Sequence, residues 1–525
     1  MPRFVLRRCL AAWLVACSAH AGDRIVVRVP EALSEALAAG PSAGRLVVFL
    51  KSERCREEGE PADAPFFSDP QPICSRAVAG VRVGSEIEFT GEGVIAWPGP
   101  IDELDGPFTA QAVFKRSRDE AGIRAPGNMI GPPLPVALRR DADDTLELEL
   151  GAAVAPPDAT DSAQIAWIDE PSPMLTRALG RVIRHRAAVV FPPGYHDVTH
   201  ARRIWPTVYV IPGFGGRMTA AQEIVRLFSI PESARTVPQA VHVVLDPEGA
   251  FGHHGFADSI LNGPRGAALV RELVPMLEDR YRLVRAPEGR LLTGHSSGGW
   301  SSLWLQLTNP DFFGGCWSSA PDPVDFSAFQ LNDLYRDENL FTDAEGAERG
   351  SFRRPVGPME KVLMTVREEI GMERAIDPFG ASGQQWDAWQ AMFSPPDATG
   401  SMPRRLADPQ TGAVDHALVR DFWSPYDISR VVEKRWSKLD PVLRSKVRVL
   451  VGDRDNFYLE RAVRKLAAKI ETLRAATGVK AEDAQIERPC IEILPGATHD
   501  TAAVISRGRF ALEMRAHLKR HGLGD

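Results

Sequence analysis

An α/β fold is predicted, with a mostly parallel central sheet preceded by a small N-terminal β-sandwich. Three observations point to it. From residue 165 onward, apolar runs of strand length, among them Thr207–Ile211, Val241–Leu245, Val447–Val451 and Ile491–Leu494, are separated by much longer stretches, as in buried parallel strands joined by crossovers. Before residue 150 the strand candidates alternate apolar with polar residues between Gly, Pro and Asp turns, the pattern of a half-exposed sheet. The chain, at 525 residues, exceeds what one core supports, so two domains are expected. Its 44% hydrophobic and 25% charged residues are ordinary for a soluble globular protein. A net charge of −7 argues against nucleic acid or an anionic membrane surface as the principal partner.

Taken in order, residues 1–21 read as a secretory signal peptide: a basic start to Arg8, a short apolar stretch from Cys9 to Ala16, and a small-residue cleavage site at Ala19-His20-Ala21. The apolar stretch is too short to span a bilayer. Leu14-Val15-Ala16-Cys17 also resembles a bacterial lipobox, which would make Cys17 a lipid anchor. Cleavage after Ala21 is favoured because of the small-residue site, and either reading exports the chain to the periplasm or beyond. Residues 22–150 supply the β-sandwich, with strands expected at 24–29, 45–50, 85–89, 108–114 and 145–150. Cys55 and Cys74 flank a loop rich in Glu, Pro, Asp and Ser, which a disulfide would close. Cys316 and Cys490 accompany buried strands and read as free core thiols. Residues 151–164, rich in Ala, Pro and Asp, form a linker.

The second domain, 165–525, carries the chemistry. Thr207–Ile211 opens into Gly213-Phe214-Gly215-Gly216, a glycine-rich loop directly after a central strand. Val241–Leu245 is followed by a loop holding His253, His254, Ser259 and Asn262; Ser259 and Asn262 are candidate substrate contacts, weighed against an ordinary hydrogen-bonded loop. The adjacent histidines point apart in a strand and have no partner at metal-ligand spacing. Neither a metal nor a cofactor is expected. Gly294-His295-Ser296-Ser297-Gly298 matches the G-x-S-x-G turn that lifts a nucleophilic serine from the end of a strand in α/β-hydrolases. In that fold the oxyanion donors are the N–H of the residue after the nucleophile, here Ser297, and one from the glycine-rich loop, here Phe214 or Gly215. Residues 326–426 lie between two core strands and include Trp386, Trp389 and Trp423; a connection this long predicts a helical insertion over the catalytic site. After Val447–Val451 come Asp453 and Asp455, and after Ile491–Leu494 comes His499. The order Ser, Asp, His, each at the carboxyl end of a strand, is that of a hydrolase triad. Asp322 and Asp325, after the preceding strand, are reserve candidates for the acid. His517 and His521, in a C-terminal helix, are expected to be solvated.

From about Val182 onward the chain resembles the putative-esterase family of α/β-hydrolases, which includes esterase D, enterochelin-type esterases, feruloyl and acetyl-xylan esterases and mycolyltransferases. The resemblance rests on Val190–Tyr195, Trp205–Gly216, the serine turn, and the segments around Asp455 and His499. One departure is Pro212-Gly213, where family members carry His-Gly. The resemblance favours Asp455 as the acid, since the family places it three residues after the glycine and shortly before an aromatic such as Phe457. It implies a serine esterase acting on a small-molecule or glycan-linked carboxylic ester or thioester through Ser296, His499 and Asp455. The alternatives are acyl transfer by the same residues, a peptidase, or a non-catalytic binding protein gripping its ligand through the N-terminal domain, where Trp97 is the available aromatic platform. The oligomeric state is not legible.

Overall fold

The computed structural model describes residues 24–64, 66–91, 93–140, 144–477 and 489–524. The export signal read at residues 1–21, with Cys17 and Ala21, lies outside the described residues. Among those described, no helix is long and apolar enough to cross a membrane.

An eight-stranded sheet organises the larger part of the chain. Its strands are β1 (Ile165–Pro171), β2 (Arg184–Val190), β3 (Thr207–Ile211), β4 (Val241–Leu245), β5 (Arg290–His295), β6 (Gly315–Ser319), β7 (Val447–Gly452) and β8 (Ile491–Leu494), in the spatial order β1-β2-β4-β3-β5-β6-β7-β8. The β1–β2 and β2–β4 pairings are antiparallel, and every pairing from β4 to β8 is parallel. Every residue of β4 and β6 is buried, as strands covered on both faces require. Helix α1 (Ala221–Ser229) follows β3, α2 (Ser297–Thr308) follows β5, α5 (Leu459–Thr477) follows β7 and α6 (His499–Arg520) follows β8.

The N-terminal part contains two sheets. One is three-stranded, with Arg24–Arg28 between Glu86–Glu88 and Thr145–Glu149; the other is six-stranded and centred on Gly44–Ser52 and Gly106–Lys115. Strand alternation splits Gly44–Ser52 into two faces. Leu46, Val48 and Leu50 pack with Ile25, Val27 and Leu148 of the smaller sheet. Val47 and Phe49 point the other way, into a second cluster with Val113, Met364, Met372, Ala375 and Ile376. That second face is covered by a helix from the distant insertion, α3 (Val366–Ile376). A Cβ added at Gly371 would come within 2.7 Å of the Trp97 indole, so Trp97 is committed to this contact. Lys115 Nζ donates to the Ser382 carbonyl at 2.9 Å and to that of Ala381, and Ser75 Oγ donates to the Ala375 carbonyl. Closer to the sheet, Glu120 pairs with Arg186 and with Arg217, and the Glu248 carboxylate accepts the N–H groups of Ala121 and Gly122.

Three expectations are corrected. The insertion is not purely helical: residues 350–365 form a hairpin, Gly350–Val356 with Met359–Thr365, ahead of α3 and α4 (Gln385–Phe393). Cys55 and Cys74 are free. Cys74 belongs to the core shared with the small sheet and Cys55 packs on the opposite cluster, so the sheet lies between them. His517 is buried rather than solvated, within 3.0 Å of the Glu288 carbonyl, and burial pulls its pKa down to about 4.

Candidate active site

The turn after β5 shows why its glycines are glycines. A Cβ on Gly294 would lie 2.2 Å from the Gly298 carbonyl oxygen, and one on Gly298 would lie 2.0 Å from that of Ile211. Backbone cannot yield at those distances. Between them Ser296 takes φ 57° and ψ −125°, a conformation costing about 1–3 kcal/mol for a residue with a Cβ. The adjacent strand and the helix that follows compensate: the Ser296 N–H donates to the Ser319 carbonyl at 2.9 Å, and its carbonyl accepts the Trp300 N–H at 3.0 Å. The hydroxyl stands at the start of α2, at the carboxyl edge of the sheet.

Asp455 and His499 meet at that same edge. Asp455 Oδ2 lies 2.7 Å from His499 Nδ1, while Oδ1 accepts the N–H groups of Phe457 at 2.9 Å and Leu459 at 3.4 Å. Burial alone would raise the Asp455 carboxyl, but His499 and the two N–H donors outweigh it and hold the group below the usual carboxylate range. Burial likewise disfavours the imidazolium of His499, yet the charge and hydrogen bond of Asp455 prevail and set it above an ordinary histidine. With Nδ1 engaged, Nε2 is the nitrogen left to exchange a proton. The His295 ring packs on the His499 ring at 4.3 Å between centroids, and the Phe457 ring meets it edge-on at 5.0 Å. Asp453 turns elsewhere, accepting the Gly496 N–H at 2.7 Å, and Asp325 caps the short helix at Phe326 by accepting from Ser327.

Asp322 has a different place. Ser296 Oγ donates to its Oδ1 at 3.4 Å, and the Asp322 N–H donates to the Ser296 carbonyl at 3.3 Å. Its Oδ2 accepts from Ser297 Oγ at 2.7 Å, Trp389 Nε1 at 2.9 Å and Gln385 Nε2 at 3.3 Å. Helix α4 of the insertion therefore sits directly over the serine turn.

The glycine-rich loop also comes up against the serine. A Cβ on Gly213 would lie 3.3 Å from Ser296 Cβ, and the Gly216 N–H closes the loop on the Gly213 carbonyl at 2.9 Å, with Gly215 at φ 73°. Among the described residues the N–H groups of Phe214, Gly215 and Ser297 have no protein acceptor, which leaves donors for a developing oxyanion. His253, buried and lowered by burial to about 4, donates from Nε2 to the Pro212 carbonyl at 3.0 Å and accepts the Gly255 N–H on Nδ1. It is a neutral prop for the glycine-rich loop.

Ser259 and Asn262 are not brought to this site by any contact among the described residues. Ser259 Oγ accepts the Asn262 N–H at 3.1 Å, closing its own hairpin, and the neighbouring Gly263 packs on Leu175 and Leu179. The Asn262 carbonyl in turn accepts from Arg265 Nε at 2.9 Å. Sequence reasoning missed Phe67, whose ring meets Phe457 edge-on at 5.4 Å and Phe352 at 5.8 Å; an N-terminal residue thus backs the ring that packs on His499. A cavity of about 310 Å³ lies between α1 and α6, lined by residues including Val210, Ile224 and Phe510. It reaches Gly213 and His295 without Ser296 in its wall. Among the described residues no group of three or more His, Cys, Asp or Glu side chains is arranged to hold a metal.

Residues 183–487 match the family described as Putative esterase. No curated protein matches the chain. Among solved structures it is similar to a ferulic acid esterase, with 13% identity over 67% of this chain and 98% of that one, at a TM-score of 0.38. A substrate-bound fluorophosphonate-binding serine hydrolase F of Staphylococcus aureus has 12% identity over 67% and 99% of the two chains, at a TM-score of 0.37. A ferulic acid esterase from Anaeromyces mucronatus has 14% identity over 68% and 95%, at a TM-score of 0.32.

Proposed function

Because the chain belongs to the putative esterase family, we propose that it is a serine esterase cleaving a carboxylic ester or thioester of a small or glycan-linked molecule, through Ser296, His499, Asp455 and an acyl-enzyme. The observation that carries this reading is the 2.7 Å Asp455–His499 pair at the same sheet edge as the strained Ser296 turn. The Ser296 hydroxyl hydrogen swings from Asp322 to His499 Nε2, which takes the proton as Oγ attacks the carbonyl carbon. The carbonyl oxygen, now negative, accepts from the N–H of Ser297 and of Phe214 or Gly215. As the tetrahedral centre collapses, the carbon–oxygen bond to the alcohol breaks and His499 delivers the proton to the departing oxygen. Water then repeats the sequence on the acyl-enzyme, releasing the acid and restoring Ser296.

The N-terminal part is read as a β-sandwich domain at 22–150 ahead of the hydrolase domain at 165–525, a division supported by the core its two sheets share. Export rests on the signal sequence at 1–21. The test of the enzymatic reading is labelling by a fluorophosphonate probe together with hydrolysis of p-nitrophenyl acetate. Wild type should react in both assays, with Ser296→Ala and His499→Ala silent. Folded wild type that neither labels nor turns over would refute it.

A further inference from the structure

Asp322 is a buried carboxylate that, among the described residues, has no hydrogen-bonded cationic partner, and it is set against Ser296. It is 6% exposed. Its firm partners, the Ser297 hydroxyl, the Trp389 indole and the Gln385 amide, are all neutral and all gather on Oδ2. Oδ1 keeps only the long 3.4 Å approach of Ser296 Oγ, and it gives up that hydrogen when the serine hydroxyl turns to His499. Burial pushes the carboxyl above its usual range. A carboxylate so placed cannot help a developing oxyanion, which it repels. Its nearest base, His499, is already matched to Asp455.

Resting on the esterase reading, we infer that Asp322 determines specificity: its Oδ1 receives a protonated amine carried close to the scissile ester. Attack brings the carbonyl carbon within about 3–3.5 Å of Oγ. A substituent one or two bonds further on, at about 1.5 Å per bond, then falls within hydrogen-bond reach of an oxygen 3.4 Å from the same Oγ. An ammonium supplies both the donor and the charge that the site lacks, and charge-assisted bonds in a dry site discriminate strongly against substrates without the donor. Trp389 and Gln385 fix Oδ2 from the insertion, which leaves Oδ1 on the side of Ser296 Oγ.

The amine could sit on the acyl or on the alcohol side of the ester, and two substrate pairs separate these. Alanine p-nitrophenyl ester against propionic acid p-nitrophenyl ester probes the acyl side; 2-aminoethyl propionate against propyl propionate probes the alcohol side. Both pairs are compared at about pH 6.5, where the amines are largely protonated. In wild type the amino ester should exceed its neutral partner in kcat/KM by at least about tenfold in one pair, and in Asp322→Asn that ratio should collapse towards one. A ratio near one for wild type in both pairs, or a preference that survives in Asp322→Asn, overturns the inference. Where Asp322→Asn fails to fold, Asp322→Ser stands in for it, and a preference that survives there overturns the inference equally. Neutral esters cleaved without preference would remove this inference alone, whereas wild type inert to every ester and to the fluorophosphonate probe would remove the esterase reading with it.

Discussion

Replacing Asp455 by Asn tests the geometry at its centre. The side chain keeps its shape, and the N–H groups of Phe457 and Leu459 already fix the acceptor position at Oδ1. The amide oxygen stays there, so Nδ2 faces His499 Nδ1. Two donors cannot face each other at 2.7 Å; the imidazole adopts the tautomer with its proton on Nε2, and Ser296 loses its base. We expect kcat on p-nitrophenyl acetate to fall about 10³- to 10⁴-fold, equivalent to about 4–5.5 kcal/mol of barrier. The pH profile should move as well. In wild type the acid limb of kcat/KM follows His499, which Asp455 holds above an ordinary histidine; with that charge gone burial prevails, proton affinity falls, and the limb shifts to lower pH. Asp453→Asn, at a side chain that accepts the Gly496 N–H away from His499, should stay within about threefold in rate and lose about 1 kcal/mol of stability. An Asp455→Asn enzyme within tenfold of wild type, with an unmoved acid limb, would mean that another group orients His499.

Gly298→Ala places a methyl 2.0 Å from the Ile211 carbonyl oxygen and should cost more than about 4 kcal/mol; a variant with wild-type Tm by circular dichroism would contradict the account of the turn. His253→Ala removes the donor to the Pro212 carbonyl, so kcat should drop about tenfold with KM held and His253→Gln recovering part of the loss; equal losses in Ala and Gln would point to packing instead. Phe67→Ala should lower Tm by a few degrees and kcat/KM about three- to tenfold, because it removes two ring pairings of about 0.5–1.5 kcal/mol each; a change in Tm with full activity would separate Phe67 from the His499 wall.

The parallel core was legible because its strands are continuous apolar runs, and the serine turn because its steric demands leave glycine as the one residue that fits on either side of Ser296. Where strands end, chemistry could be read. Contacts between distant segments left weaker signals. Alternation in residues 44–52 marks two apolar faces, Leu46 and Val48 against Val47 and Phe49, but nothing local says that residues 366–376 cover the second. The same alternation undoes the disulfide, since Cys74 and Cys55 serve opposite faces. The hairpin at 350–365 left a trace in its Gly357 turn at φ 56°, hidden by the surrounding helical stretches. Asp322 was visible as a carboxylate after a strand, but its bonds to Gln385 and Trp389 come from α4, far away in sequence, and the direction of the loop at 259–262 is set by what it packs on.

The shared core of the six-stranded sheet and α3 also sets an order of events during synthesis. Strands Gly44–Ser52 and Gly106–Lys115 are made early, yet the helix that covers Val47, Phe49 and Val113 is encoded about 250 residues after them. At about 5–20 residues per second that interval is on the order of 10–50 s. Throughout it the nascent chain carries a bare apolar sheet face, the kind of surface that chaperones retain and that aggregates in their absence. A ribosome-bound chain arrested before residue 366 should therefore be chaperone-bound and protease-sensitive, and one extended past residue 376 should close.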